Sequence, residues 1–219
     1  MPRLVDVSHT VEDGLITYPG LPGPIVCDFL SREASRAHYD EGTTFQIARI
    51  DLVANTGTYV DAPFHRFADG ADLADLDLSR LAHRKGVVIN AVGRGRALGR
   101  DLFERVDPHG IAVLVHTGWD AHWATPAYFE GHPYLTRSAA EFLRDAGAAL
   151  VGIDSLNIDN TKDGARPVHT ILLGAGIPIV EHLCNLGALP EDGFRFHAVP
   201  VKFRGVGTFP VRAYGVVGD

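Results

Sequence analysis

The stretch Asn55-Thr56-Gly57-Thr58-Tyr59-Val60-Asp61-Ala62-Pro63-Phe64-His65 runs from an extended segment into a turn. In an extended chain alternate side chains share one face, which predicts a common cavity for Asn55, Gly57, Tyr59 and Asp61. Asp61-Ala62-Pro63 by itself is typical of a turn initiator. We therefore expect a strand that delivers polar side chains to a site and ends there, with His65 just beyond it.

This stretch resembles the fingerprint of the cyclase family, which includes the bacterial kynurenine formamidases and the isatin hydrolases: His-x-Gly-Thr-His-x-Asp-(Ala/Ser)-Pro-x-His. The agreement covers Gly57, Thr58, Asp61, Ala62, Pro63 and His65. The first and second histidines of the fingerprint are replaced by Asn55 and Tyr59. The chain is thus identified as a divergent member that lacks two metal-ligand histidines.

The resemblance extends over nearly the whole chain. Further segments that fit the family pattern are residues 6–10, 18–20, 116–123, 152–159, 169–173, 181–183 and 200–213. The resemblance implies an α/β fold, the swivelling β/β/α domain of the cyclase family, with a mixed sheet and few helices. It also implies a homo-oligomer, a homodimer or a homotetramer.

Composition and local pattern agree with such a fold. The chain has 219 residues, of which 46% are hydrophobic, enough for one domain over 1–219 with a full core. Apolar β-rich runs predict strands at residues 45–52, 87–92, 111–115, 149–153 and 176–180. A helix is predicted over 138–146, with Ser138 and Glu141 at capping-box spacing and Gly147 as a left-handed stop. A second amphipathic segment covers 73–81.

The resemblance assigns roles to four residues that match the family pattern. It places a metal-bridging carboxylate at Asp61, the catalytic acid/base at His65, and a histidine and a carboxylate ligand of the second metal at His169 and Glu181. The ligands of the first metal fall on Asn55 and Tyr59, which offer oxygen in place of imidazole nitrogen. We therefore expect at most one metal.

Three states of the site remain open. Asp61, His169 and Glu181 could hold one zinc or manganese ion, while His65 moves a proton. An oxygen-rich site that adds Asn55 could hold a harder ion such as magnesium. The site could also be metal-free, with the Tyr59 phenol in the vacated space and hydrogen-bonded to Asp61, which makes Tyr59 a second candidate catalytic residue. Candidate substrate-binding residues are Asn55, His116 and Trp119.

The resulting hypothesis is an enzyme, a hydrolase or lyase that acts on a small amide, lactam or cyclic carbonyl compound. The alternative is a metal-free ligand-binding or catalytically altered relative of the kynurenine formamidases. A net charge of −7 and a pI near 5.8 favour a small-molecule substrate over nucleic acid. Without an apolar stretch of membrane-spanning length or a signal-peptide segment, we expect a soluble, cytoplasmic protein with no membrane partner.

Overall fold

The computed structural model describes residues 1–218. In this part of the chain the three α-helices are α1 (Arg32–Ser35), α2 (Arg137–Asp145) and α3 (Pro167–Gly174). The strands are β1 (Arg3–Asp6), β2 (Ile25–Leu30), β3 (Ile47–Asp51), β4 (Tyr59–Asp61), β5 (Arg84–Asn90), β6 (Ala97–Leu98), β7 (Ala112–His116), β8 (Tyr134–Leu135), β9 (Leu150–Ile153), β10 (Ile179–Glu181), β11 (Phe194–His197), β12 (Thr208–Pro210) and β13 (Tyr214–Val217). None of the helices in residues 1–218 has the length and apolar character needed to span a bilayer.

A nine-stranded mixed sheet organises the molecule, in the order β1-β13-β11-β5-β7-β9-β10-β4-β12. Its centre, β5-β7-β9-β10, is parallel, and the remaining pairs are antiparallel. Both faces of the central strands are buried, so their sequences are continuously apolar instead of alternating. Val87 and Ile89 pack toward α2 and α3, whereas Val88 belongs to the cluster on the opposite face. The predicted mixed sheet with few helices is confirmed.

All five predicted strands overlap observed strands, but two helical details were wrong. The helix α2 begins two residues earlier than a Ser138 cap requires, because Thr136 is the N-cap and its hydroxyl accepts a hydrogen bond from the Ala139 amide. Gly147 does adopt the left-handed conformation, with φ of 78°. Segment 73–81 forms only a short 3-10 helix, Leu78–Arg80, because the Asp72 carboxylate binds the Ala74 and Asp75 amides in a turn.

Candidate active site

Strand register brings distant polar residues together at the edge of the sheet. In the antiparallel pairs, β4 places Tyr59 opposite Glu181 on β10 and Asp61 opposite Thr208 on β12. Directly opposed residues on one face of a sheet have Cβ atoms about 5 Å apart, close enough for their side chains to bond. The site is therefore assembled from three strands that are far apart in sequence.

Asp61, Thr208 and His65 form a hydrogen-bonded chain. The Thr208 hydroxyl donates to Asp61 Oδ1, and Thr208 Oγ1 itself lies 2.8 Å from His65 Nδ1. Since a hydroxyl has one proton and it goes to Asp61, His65 must donate from Nδ1. A neutral His65 then carries no proton on Nε2, and that nitrogen is free to accept one.

His169 is fixed by Asp159 at the start of α3. The two oxygens of Asp159 accept from the Val168 and His169 amides, so this carboxylate caps the helix. Oδ2 also lies 2.7 Å from His169 Nδ1. His169 Nε2 faces Asp61 Oδ2 and Glu181 Oε1, each at 3.7 Å. Burial lowers the pKa of His169, but Asp159 and Asp61 outweigh it and raise that pKa to about 10.

The Glu181 carboxylate is fully buried and surrounded by donors. Oε1 accepts from the Ile158 amide at 2.6 Å, and Oε2 accepts from the Tyr59 hydroxyl at 2.6 Å and from Asn157 Nδ2 at 3.2 Å. Burial raises the pKa of Glu181 to about 7. The prediction that Tyr59 bonds Asp61 was therefore wrong in its partner, because the register sets Tyr59 against Glu181.

Tyr59 stands at the position of the second histidine of the fingerprint, where it is poorly suited to bind a metal ion. Burial, followed by the charge of Glu181, raises the pKa of Tyr59 well above its usual value. A phenol must lose its proton to become a strong metal ligand, and here that loss is opposed. Tyr59 acts in this structure as a hydrogen-bond donor to Glu181.

A different group of side chains suits one metal ion. Ligand atoms of Asp61, His65 and His169 all lie within 4.8 Å of one another. Asp61 Oδ2 is buried and has no hydrogen-bond partner, an unusual state for a carboxylate oxygen that a cation would satisfy. This group differs from the predicted ligand set by having His65 in place of Glu181. The donors present fit a single divalent ion.

A cavity of about 220 Å³ opens over these residues. Its walls are formed by Tyr18, Leu21, Asn55, Tyr59, His65, Arg66, Asn157, Arg166, His169 and Glu181. Two larger hollows, about 630 and 750 Å³, lie elsewhere. We locate the chemistry in the smaller cavity, because the buried acids and the imidazoles converge there.

Asn55 and Tyr59, two of the predicted site residues, line this cavity together with His65, His169 and Glu181. Two others lie outside its lining. His116 borders the 750 Å³ hollow, with Nε2 3.9 Å from Asp154 Oδ2. The Trp119 indole donates to the Tyr128 carbonyl, and substrate contact by either residue stays a prediction.

Sequence reasoning missed several residues that touch the cluster. Thr208 and Asp159 lie inside the family segments 200–213 and 152–159, but neither was assigned a role at the site. Tyr18 and Asn157 lie inside the family segments 18–20 and 152–159 but were assigned no role at the site, although Asn157 donates to both Tyr18 and Glu181. The spacing of Asp159 and His169, a carboxylate ten residues before a histidine at a helix start, was a further signal.

An aromatic cluster lies behind Tyr59. His182 is fully buried, its Nδ1 lies 2.8 Å from the Tyr128 hydroxyl, and its ring packs near Tyr59. His9 stacks on Trp123 with ring centroids 3.9 Å apart. Burial lowers the pKa of His9 to about 4, although Asp120 opposes the shift. Both imidazoles are thus neutral parts of the packing near neutral pH.

Comparison with known proteins shows the family and the fold to which the chain is similar. Residues 5–160 match the model of the Cyclase family. Kynurenine formamidase from Geobacillus thermodenitrificans (strain NG80-2) is 28% identical over 211 residues, covering 95% of each chain. A solved structure described as a potential metal-dependent hydrolase with cyclase activity covers 100% of both chains, with 24% identity and a TM-score of 0.83.

Isatin hydrolase A from Labrenzia aggregata, bound to benzyl benzoate, is 22% identical, with a TM-score of 0.85. That similarity covers 100% of this chain and 94% of the isatin hydrolase chain. Both structures share the fold described above. Because the family model matches more than half of the sequence, the chain belongs to the cyclase family.

Proposed function

We propose that the protein is a hydrolase of a small amide, lactam or cyclic carbonyl compound, and that in an amide or lactam the bond broken is C–N. The observation that carries this proposal is the convergence of Asp61, His65 and His169 beneath a cavity of about 220 Å³. That volume is below the roughly 300 Å³ at which drug-sized sites begin, which favours a substrate with one or two rings. Relatives named kynurenine formamidase and isatin hydrolase support the same reaction class.

His65 is the general acid/base in this mechanism. Its side chain is 35% exposed, and Nδ1 is bonded to Thr208, which leaves Nε2 available at the cavity. Nε2 accepts the proton of the attacking water and returns it to the departing nitrogen. Thr208 and Asp61 keep the imidazole in the tautomer and orientation that this transfer requires.

Asp61 and His169 would hold the metal ion, because Asp61 Oδ2 is unpartnered and His169 Nε2 faces it at 3.7 Å. A bound divalent ion supplies a Lewis acid for the substrate carbonyl. The imidazole of His169 favours zinc over magnesium, and the carboxylate of Asp61 is also suited to manganese. Since the pKa of His169 is about 10 without an ion, binding must displace a proton and should strengthen as pH rises.

Elemental analysis of untagged protein purified without chelator tests the metal assignment, and hydrolysis of formanilide, N-formylkynurenine and isatin tests the activity. We expect about one equivalent of metal per chain, lost in Asp61→Ala. His65→Ala should keep the metal and lose turnover, whereas loss of both would make His65 a ligand instead. His109→Ala, an exposed histidine outside the lining of the cavity, is the matched control.

A metal-free binding protein is the second candidate. It is favoured by the hydrogen bond from the Tyr59 hydroxyl to the Glu181 carboxylate, one of the predicted metal ligands. Thermal unfolding with EDTA and with added zinc or manganese distinguishes the two, since a ligand that binds only the folded state must raise stability. An unchanged melting temperature with excess ions, together with no hydrolysis, would favour the binding protein.

We further propose that the chain forms a homodimer or homotetramer through the β2–β3 hairpin. Every residue of these strands except Leu30 is exposed, including Phe29 at 76% and Ile50 at 59%. A lone two-stranded hairpin is marginally stable in water, so packing of a second copy of the chain against its apolar side chains would stabilise it. Light scattering should show a smaller particle for Phe29→Asp, but not for Leu78→Asp, an exposed leucine elsewhere. A monomeric wild type would contradict this.

We also propose that the protein is cytoplasmic. Small-molecule hydrolysis needs no membrane or nucleic-acid partner, and the acidic net charge of −7 is unfavourable for binding a phosphate backbone.

A further inference from the structure

Two arginines stand at the wall of the active-site cavity. Arg66 follows the short 3-10 helix that contains His65, and Arg166 is the N-cap residue of α3, which carries His169. Both line the cavity. Each arginine is thus positioned by the same element as one of the site histidines.

Neutral groups hold both side chains. Arg166 Nη1 donates to Asn157 Oδ1 at 3.2 Å, and Arg66 Nε donates to Thr170 Oγ1 at 3.3 Å. These contacts use one of the five N–H donors of each guanidinium. The remaining donors have no carboxylate to bind, since none lies within 4.0 Å of either arginine in residues 1–218.

Some surface arginines have ion pairs, and the observation specific to Arg66 and Arg166 is that two arginines without one line the same cavity. Arg204 and Arg212 lie on the surface and bind Asp75 and Asp6 through two hydrogen bonds each. The one acid in the cavity lining, Glu181, is occupied by Tyr59, Asn157 and the Ile158 amide. In a chain with a net charge of −7, two guanidiniums without counter-ions at a concave site indicate an anionic ligand.

The rest of the lining fits an aromatic body. Tyr18, Leu21 and Tyr59 offer aromatic and apolar surface, and the volume of about 220 Å³ suits one ring with a short substituent. A guanidinium presents parallel N–H donors that match the two oxygens of a carboxylate. Arg166 also has φ of 44°, a left-handed conformation that non-glycine residues rarely adopt and that often marks a ligand-binding position.

We propose that Arg66 and Arg166 bind the carboxylate of the substrate, so that the enzyme acts on N-acylated or cyclic amides of aromatic acids. The inference rests on the proposed function for the position of the scissile bond over Asp61 and His65. It assigns the charge recognition to the two arginines and the chemistry to the acid–histidine cluster. A neutral amide of the same shape then binds more weakly.

Benzoate and benzamide test the charge recognition without any reaction, because they have nearly the same shape and differ in charge. NMR titration of the purified protein should give at least tenfold tighter binding of benzoate. Arg66→Met and Arg166→Asn should each remove most of that preference while benzamide binding stays unchanged. Asparagine tolerates the left-handed backbone at position 166. Arg204→Met is the matched control and should behave as wild type.

Equal affinity of the two probes in the wild type would overturn the inference, as would a preference for benzoate that survives in the double variant. The second result would assign the carboxylate to another cation of the site. Unfolding curves of both variants establish that they are folded before binding is compared.

Turnover separates this inference from the proposed function. N-formylanthranilate and formanilide share the scissile formamide and differ by one carboxylate. We expect kcat/KM at least tenfold higher for N-formylanthranilate, with the difference lost in Arg66→Met through KM. An arginine-dependent preference for benzoate without hydrolysis of either formamide would refute the proposed function and leave the inference about the arginines standing. Equal kcat/KM for both formamides would refute the inference about the arginines and leave the proposed hydrolase function standing.

Discussion

Replacement of Thr208 by valine tests the hydrogen-bonded chain at the centre of the site. Thr208 is the one hydrogen-bond donor to Asp61 Oδ1 among residues 1–218, and Asp61 Oδ2 has none. Valine has the shape of threonine without the hydroxyl, so Thr208→Val leaves a fully buried carboxylate without a hydrogen bond. A hydrogen bond to a charged group contributes about 1.5–3 kcal/mol, and we expect that loss in the free energy of unfolding.

Urea and thermal unfolding measure this loss. For a chain of this size each kcal/mol lowers Tm by about 2–4 °C, which predicts a decrease of about 3–12 °C. Thr208→Ser keeps the hydroxyl and should retain most of the stability. The valine variant should also lose about tenfold to a hundredfold in kcat, part of the 10²–10⁴ typical of general acid/base catalysis, because His65 loses the acceptor for Nδ1.

Two results would refute this reasoning. One is a Thr208→Val protein within about 0.5 kcal/mol of wild type, which is the usual range for inconsequential surface changes. The other is equal destabilisation by serine and valine, which would attribute the effect to packing of the Thr208 methyl group.

Three further predictions concern residues around this chain. Tyr59→Phe removes the 2.6 Å bond to Glu181 and should lower the free energy of unfolding by about 1–3 kcal/mol in urea; an unchanged midpoint would show that Asn157 alone suffices. The pKa of His9 is about 4 when folded and near 6.5 when unfolded, so its contribution to stability is present above pH 6.5 and lost as pH falls toward 4. Between pH 7 and 5 His9→Phe should lose less stability than wild type, by on the order of 1 kcal/mol after allowance for solvent screening. His65→Ala should lower kcat by about 10²–10⁴ with an unchanged Tm, and full turnover would exclude it as the acid/base.

Local pattern in the sequence was sufficient for much of the fold. Apolar runs predicted the central strands β5, β7, β9 and β10, which the structure buries on both faces, and also β3, which is exposed; Gly147 marked the end of α2. The amphipathic pattern was less informative at residues 73–81. There the Asp72 carboxylate accepts hydrogen bonds from backbone amides and holds a turn in place of a longer helix. The α3 helix was missed because its eight residues are apolar nearly all round, so no amphipathic period distinguishes it from a buried strand.

The sequence by itself also determined which residues could carry chemistry, since the fingerprint at 55–65 identified Asp61 and His65 and the substitutions at Asn55 and Tyr59. Tertiary structure decided their partners. Tyr59 bonds Glu181, 122 residues away, and Thr208 bonds Asp61, 147 residues away, because the strand register places each pair side by side. Arg66 and Arg166 line one cavity because the turn that follows β4 lies beside the start of α3, where Arg66 bonds Thr170. Local sequence fixes which face of a strand a side chain occupies, but pairing between distant strands fixes what it meets there.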